Sequence, residues 1–429
     1  MVFLLIVAVL LVLVFMSIPV ASVLGLLTMW LDQAYTDGRM SLTFGGFIWD
    51  ASTQFILISV PLFILLGEIV LRAGLAEKMY MAVSKWLSWL PGGLMHANIG
   101  SSAIFAATSG SSVATAATIG TVAYPEIGKR GYKESLFLGS IAAGGTLGIL
   151  IPPSVVLIVY GVLTQTSIPE LYLAGILPGL LLVVLFSLVI IVACLINPSY
   201  SGQKQSSTWA EKMTVLLDLV RPLILFLGVV GSIYAGIATP TEAASFGVVF
   251  ALLLAWWEKK LTVPMLLACF ENTVKTTAMI MLIIFAAMLL NVVIGYMGVI
   301  QSATEFIKTL NLTSLETLVI LVVFYLILGM FMETFSMMLT TIGLVFPLMT
   351  SLGFDPVWFG IVLTILMEIA LITPPIGVNL FVVQGIRKNG GAFNDVCVGS
   401  IPFVLMMLLL IVLVTIFPQI ILWLPNKFY

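Results

Sequence analysis

Ten runs of apolar residues, at 2–29, 51–71, 135–163, 171–196, 222–238, 243–257, 276–297, 317–332, 357–372 and 397–424, occupy most of the chain. Many come close to the ~20 residues a helix needs to cross roughly 30 Å of hydrocarbon. Lipid offers no hydrogen bonds, so segments of this kind must satisfy their own backbone as helices. A barrel is excluded, because its strands would alternate apolar and polar residues over short segments. Only 8% of the 429 residues are charged and 61% are hydrophobic, against about 25% charged in a soluble domain. The fold class is therefore an all-α polytopic membrane protein. The first run has no basic start and is too long for a signal peptide, and it reads as one retained helix. A net charge of −2 gives no footprint for nucleic acid, and none is expected as a partner. Cys194, Cys269 and Cys397 are scattered, with neither disulfide nor metal spacing.

Two of these apolar stretches are interrupted in the same way. "GILIPPS" at 148–154 and "LITPPIG" at 371–377 each place adjacent prolines in mid-run. A proline inside a helix costs roughly 3 kcal/mol, because it removes a donor and clashes with the preceding turn. The interruptions belong to a longer repeat. Pro125, Gly131, Pro152 and Pro153 recur as Pro347, Gly353, Pro374 and Pro375, all displaced by the same 222 positions, and "TIG" at 118–120 recurs at 341–343.

Basic residues mark cytoplasmic loops. They cluster in 72–90 (Arg72, Lys78, Lys85), 126–134 (Lys129, Arg130, Lys133) and 198–221 (Lys204, Lys212, Arg221), at Lys259 and Lys260, and at Arg387 and Lys388. The 164–170 and 350–356 loops have no Lys or Arg. The consistent topology has the N-terminus in the cytoplasm and the C-terminus outside. Residues 92–125 and 316–349 each start and end on one side, so each reads as a re-entrant hairpin, the two entering from opposite faces. The expected organisation is a first repeat over 1–196 (hairpin 92–125, broken helix 135–163), a cytoplasmic connector at 197–221, and a second, inverted repeat over 222–429 (hairpin 316–349, broken helix 357–385). Inverted repeats with interrupted helices point to a secondary transporter.

The hairpin turns are polar: "TSGSS" at 108–112 and "METFS" at 332–336. Hydroxyls and unwound carbonyls are hard oxygen ligands for a small cation, and half-helix N-termini favour an anion. The expectation is one cation site per repeat with an anion between them. Ser109, Ser111 and Ser112 also fit close helix packing. Glu333, a carboxylate at a hairpin turn inside the membrane, reads as a cation-site or substrate-site group, with a helix cap as the alternative; Glu368 and Glu242 are weaker cases, and His96 reads as a packing residue.

"SGSSVATAA", "GGTLGILIPPS", "LYLAGILPG", "ATPTEAA" and "ITPPIGVNLFV" together resemble the large membrane subunit (DctM type) of tripartite ATP-independent periplasmic transporters, within the ion transporter superfamily. The resemblance covers nearly the whole chain. It implies a scaffold plus an elevator-type transport domain in the bacterial inner membrane. It implies sodium-coupled import of an organic acid, such as a C4-dicarboxylate, keto acid or sugar acid, delivered by a periplasmic substrate-binding protein. A small four-helix membrane subunit (DctQ type) would accompany it. It implies at least two Na+ sites: Ser109, Ser111, Gly148 and Pro153 in the first, and Gly329, Glu333, Thr334, Thr373, Pro375 and Gly377 in the second. Substrate would touch Ser112, Ser154 and Asn379. The copies are not identical, since Gly148 aligns with Ala370 and Ser154 with Ile376. No GxxxxGK[ST] or HExxH motif is present, so neither an ATP-driven pump nor an intramembrane protease is expected. A channel fits two opposed hairpins less well than alternating access. The serious rival is a stand-alone transporter of the same superfamily working without a binding protein.

Overall fold

The computed structural model describes residues 2–16, 18–203, 207–387 and 390–429. Lys204 and Lys388, two of the residues used for orientation, lie outside them. The chain opens with α1 (Val2–Phe15), α2 (Val20–Tyr35) and a short α3 (Phe44–Ser52). Then come α4 (Ser59–Arg72), α5 (Leu75–Trp86), α6 (Leu94–Ser109), α7 (Ser112–Ala123), α8 (Pro125–Arg130), α9 (Glu134–Leu150), α10 (Val155–Thr164) and α11 (Ile168–Ile196). The segments α12 (Trp209–Thr214), α13 (Leu216–Tyr234) and α14 (Pro240–Trp257) follow. The remainder is α15 (Val263–Tyr296), α16 (Val299–Thr309), α17 (Ser314–Leu328), α18 (Thr334–Ser351), α19 (Pro356–Ile372), α20 (Val378–Ile386), α21 (Phe393–Ile416) and α22 (Gln419–Phe428). Among the described residues, seven helices are long and apolar enough to cross a membrane, eight when α9 and α10 count as one bent span.

One expectation changes. The 2–29 run is two helices and not one, because Pro19 sits just before α2 in an extended conformation. Proline disfavours a helical residue before it and cannot donate to the turn.

Capping chemistry explains many of the starts. Thr239 with Glu242 and Thr313 with Glu316 form reciprocal capping boxes at α14 and α17. Asp355 accepts from the Val357 and Trp358 amides at 2.8 and 2.9 Å to start α19. Glu242 is thus a structural cap.

The two interrupted helices form the centre. Leu136 to Leu150 of α9 and Val357 to Ile372 of α19 are buried all round, as a helix enclosed by others must be apolar on every face. The pair α9 and α10 bends by 42° at its break. Both proline pairs, Pro152-Pro153 and Pro374-Pro375, are joined by cis bonds. The arms α6 and α7 lie against each other and against α9, and α17 and α18 against α19. The halves also interlock: α21 packs on α9, with Gly139 and Gly399 meeting backbone to backbone so that neither tolerates a Cβ. At the end of that contact the buried Arg387 guanidinium is held by Glu134 at 2.7 Å, Asp395 at 3.2 Å and the Ala392 carbonyl at 2.8 Å.

Candidate cation and substrate site

The first hairpin turns at Gly110, in the left-handed conformation (φ 58) that ends α6. Ser111 is extended and caps α7, its hydroxyl accepting from the Ala114 amide at 3.3 Å. Ser109 and Thr115 hydroxyls meet at 2.9 Å, and the Thr115 hydroxyl also donates to the Ser111 carbonyl at 2.7 Å. This turn is seated directly on the first break. A Cβ on Gly148 would stand 2.6 Å from the Ser111 carbonyl oxygen, and one on Gly110 would stand 3.2 Å from the Pro153 carbonyl oxygen. Ser109, Ser111, Gly148 and Pro153 therefore come to one place. They bring hydroxyl and carbonyl oxygens from the turn and the break, the donor set a small hard cation prefers.

Around the second break the arrangement differs. Gly329 ends α17 and lies against Ala370, leaving no room for a side chain. The Thr373 hydroxyl donates to the Ile369 carbonyl at 2.7 Å, and the Gly377 amide donates to the Thr373 carbonyl at 3.2 Å. Gly377 folds back onto the Leu371 carbonyl, while Pro375 is exposed and Thr334 buried. Glu333 spends its carboxylate on the first turn of its own helix, accepting from the Ser336 amide at 2.7 Å, the Ser336 hydroxyl at 2.8 Å and the Phe335 amide at 3.1 Å. Those are the bonds of a cap. Glu333→Gln keeps one acceptor, enough for Ser336, and loses the acceptor for the Phe335 amide together with the charge beside the helix N-terminus, the charge being worth about 0.3–1 kcal/mol. The sodium concentration for half-maximal uptake should then move less than about twofold; a tenfold rise would return Glu333 to the cation site.

Ser112, Ser154 and Asn379 are all buried to 1% exposure or less. Ser154 caps α10 through the Leu157 amide at 3.4 Å. The Ser112 hydroxyl donates to Glu368 Oε2 at 2.5 Å, joining residues 256 apart in the chain. The other Glu368 oxygen and both amide atoms of Asn379 find no hydrogen-bond partner among the described residues. Asn379 and Ser112 face the same bare spot on α9: a Cβ on Gly145 would lie 3.0 Å from Asn379 Nδ2 and 3.1 Å from the Ser112 carbonyl. His96 is buried and bound to the Pro91 carbonyl at 2.8 Å, a packing role.

The open space lies on the other side of the turn. A crevice of about 130 Å³ is bounded by Ser109 and Ser111 of the first turn, Phe335 of the second hairpin, and Glu68 and Thr276 from α4 and α15. Asn272 donates to Glu68 Oε2 at 3.2 Å, and Arg72 pairs with the same oxygen at 3.1 Å. Glu68 and Thr276 were not among the expected site residues. Glu68 had a signal, being the one charge in the apolar run 51–71, a position that is functional by default. A larger cavity of about 530 Å³ lies near the base of the first hairpin, lined by Gly92, Tyr132 and Lys212, away from both breaks.

The family model described as "Tripartite ATP-independent periplasmic transporter, DctM component" matches residues 3–420. The chain belongs to this family. It is 32% identical to the C4-dicarboxylate TRAP transporter large permease protein DctM of Vibrio cholerae, over 96% of this chain and 94% of that one. It is 33% identical to the ectoine/5-hydroxyectoine large permease UehC of Ruegeria pomeroyi, over 96% and 95%. It is 30% identical to the sialic acid large permease SiaM of Vibrio cholerae, over 87% of each. Among solved structures, the YdaH transporter of Alcanivorax borkumensis superposes with a TM-score of 0.69 at 15% identity, over 97% of this chain and 98% of that one, a likeness of fold. These DctM relatives are named as transport permeases, which places the chain among multi-pass membrane transporters and not among enzymes.

Proposed function

We propose that this DctM chain is the translocating subunit of a sodium-coupled importer for a small organic acid. The observation that carries the reading is the seating of the Ser109–Ser111 turn on the Gly148–Pro153 break beside a crevice that the second hairpin also reaches. Interrupted helices within a membrane are tolerated where freed backbone lines a polar cavity or binds an ion. Na+ binds at Ser109, Ser111, Gly148 and Pro153, and a second Na+ binds around Gly329, Thr373 and Gly377. Substrate occupies the crevice, whose walls do not include the expected Ser112, Ser154 and Asn379, and ion binding stiffens the turn that bounds it. The block of hairpins and broken helices then shifts as a unit past α4 and α15, as in an elevator. The family's description as a tripartite periplasmic transporter supports two further components, a periplasmic binding protein as donor and a small DctQ-type membrane subunit as companion. The site of action is the bacterial inner membrane, with the N-terminus cytoplasmic and the C-terminus periplasmic.

Uptake into proteoliposomes should require an inward sodium gradient and ignore ATP. Ser109→Ala removes a hydroxyl that caps nothing, and should raise the sodium concentration for half-maximal uptake roughly 3- to 10-fold, the equivalent of one hydrogen-bonding group. Equal uptake in sodium-free buffer under a proton gradient would sink the coupling. Full-rate uptake without any binding protein would establish the stand-alone mode instead.

A further inference from the structure

The walls of the crevice carry a charge pattern that narrows the substrate. They include one carboxylate, Glu68, and the hydroxyl-bearing residues Ser109, Ser111 and Thr276, with no Lys, Arg or His among the lining residues. Arg72 and Asn272 both engage Glu68 through Oε2, and Oε1 carries no hydrogen bond among the described residues. Glu68 has 20% of its side chain exposed. Of the two hairpin helices that start at this crevice, α18 already has a carboxylate on its N-terminus, that of Glu333. By contrast α7, capped by the neutral Ser111, and α10, capped by the neutral Ser154 and starting at Val155 on the same wall, both present uncompensated positive ends beside the Gly110 turn. Both positive ends lie together at the Ser109–Ser111 turn, so the second carboxylate of a dianion reaching across would face Glu68.

We propose that the crevice takes a compact monocarboxylate whose other end is an ammonium or a hydroxyl, and that Glu68 selects it. The substrate carboxylate lies toward Ser109 and Ser111, and its donor end hydrogen-bonds to Glu68 Oε1. An ammonium would make a charge-assisted contact there, about twice as strong as a neutral one. A second carboxylate would be a like charge at close range in a partly desolvated cleft. Size agrees: about 130 Å³ is near the ~150 Å³ of an engineered cavity that takes benzene, so the ligand has few heavy atoms in this conformation. The assignment rests on the crevice being the transport site.

The test compares γ-aminobutyrate with succinate, two four-carbon acids that differ in having an ammonium or a second carboxylate at the far end. Binding to the full chain in nanodiscs, in sodium, is read by thermal shift. We expect γ-aminobutyrate to bind at least about tenfold tighter. The preference should fall below about twofold in Glu68→Gln, and also in Glu68→Gln/Arg72→Gln, which removes the pair together and guards against misfolding from an unpaired arginine. Succinate binding equally or more tightly, neither acid binding at millimolar concentration, or a preference that survives both variants, overturns the assignment. Thr276→Trp separates this from the underlying reading, because it fills the crevice. If Thr276→Trp leaves γ-aminobutyrate binding intact, the crevice is not the site and both readings fall. If it blocks binding while Glu68→Gln leaves the preference unchanged, only the substrate class is wrong.

Discussion

Gly148→Ala should raise the sodium concentration for half-maximal uptake by about tenfold or more. The added methyl would stand 2.6 Å from the Ser111 carbonyl oxygen, 2.8 Å from its carbon and 2.9 Å from the Ser112 nitrogen. All three are backbone atoms, so no side chain can rotate away. The turn must lift off the break, and the oxygens contributed by Ser111 and Pro153 separate by a sizeable fraction of an ångström. Displacements of about 1 Å in an assembled site commonly cost two orders of magnitude in rate. The same methyl at Gly128, on the short α8, meets nothing within 4 Å, so Gly128→Ala is the control. A sodium dependence in Gly148→Ala equal to that control would remove the turn from the cation site. Protein recovery should be compared as well, since overpacking by one methyl typically costs about 1–3 kcal/mol of stability.

The second large effect concerns the contact between Ser112 and Glu368. Both are buried, the hydroxyl donates at 2.5 Å, and the remaining Glu368 oxygen has no partner among the described residues. Ser112→Ala leaves both carboxyl oxygens without a donor in an apolar setting, a loss of about 1–3 kcal/mol. Glu368→Gln keeps an acceptor for Ser112 and should be milder. A double-mutant cycle is the clean measurement, because residues in direct contact fail to add by about 0.5–3 kcal/mol. Unfolding of the four proteins in detergent should show that Ser112→Ala costs less once Glu368 is already Gln. Strict additivity would mean that the two side chains act independently. Transport should fall in Ser112→Ala beyond what stability explains, since this hydroxyl follows directly on the turn that seats at the first break.

Much of the site's frame was legible before any coordinates. Paired prolines in apolar runs marked both breaks, and "TSGSS" and "METFS" marked both turns, because special backbone needs special residues. Pro19 carries the same kind of signal inside the first run, where hydropathy alone does not show the break. The contact of Ser112 with Glu368 was out of reach, since nothing local couples positions 256 apart. Glu333 shows the opposite limit: its place at a hairpin turn inside the membrane favoured a site carboxylate, whereas in the fold its oxygens accept from the Phe335 and Ser336 amides. The crevice itself needed three dimensions, because its walls come from α4, both hairpins and α15.

The backbone contact of Gly139 with Gly399 bears on how the chain is made. The surface of α9 that it covers is finished by a helix synthesised about 260 residues later, and a ribosome adding about 5–20 residues per second takes roughly 10–50 s to supply it. Throughout that interval α21 is not yet there to cover Gly139. During insertion the first half must either keep that surface against lipid or hold it under another helix that later gives way to α21. The contact of α9 with α21 is therefore a late event in biogenesis, completed only when the last spans arrive.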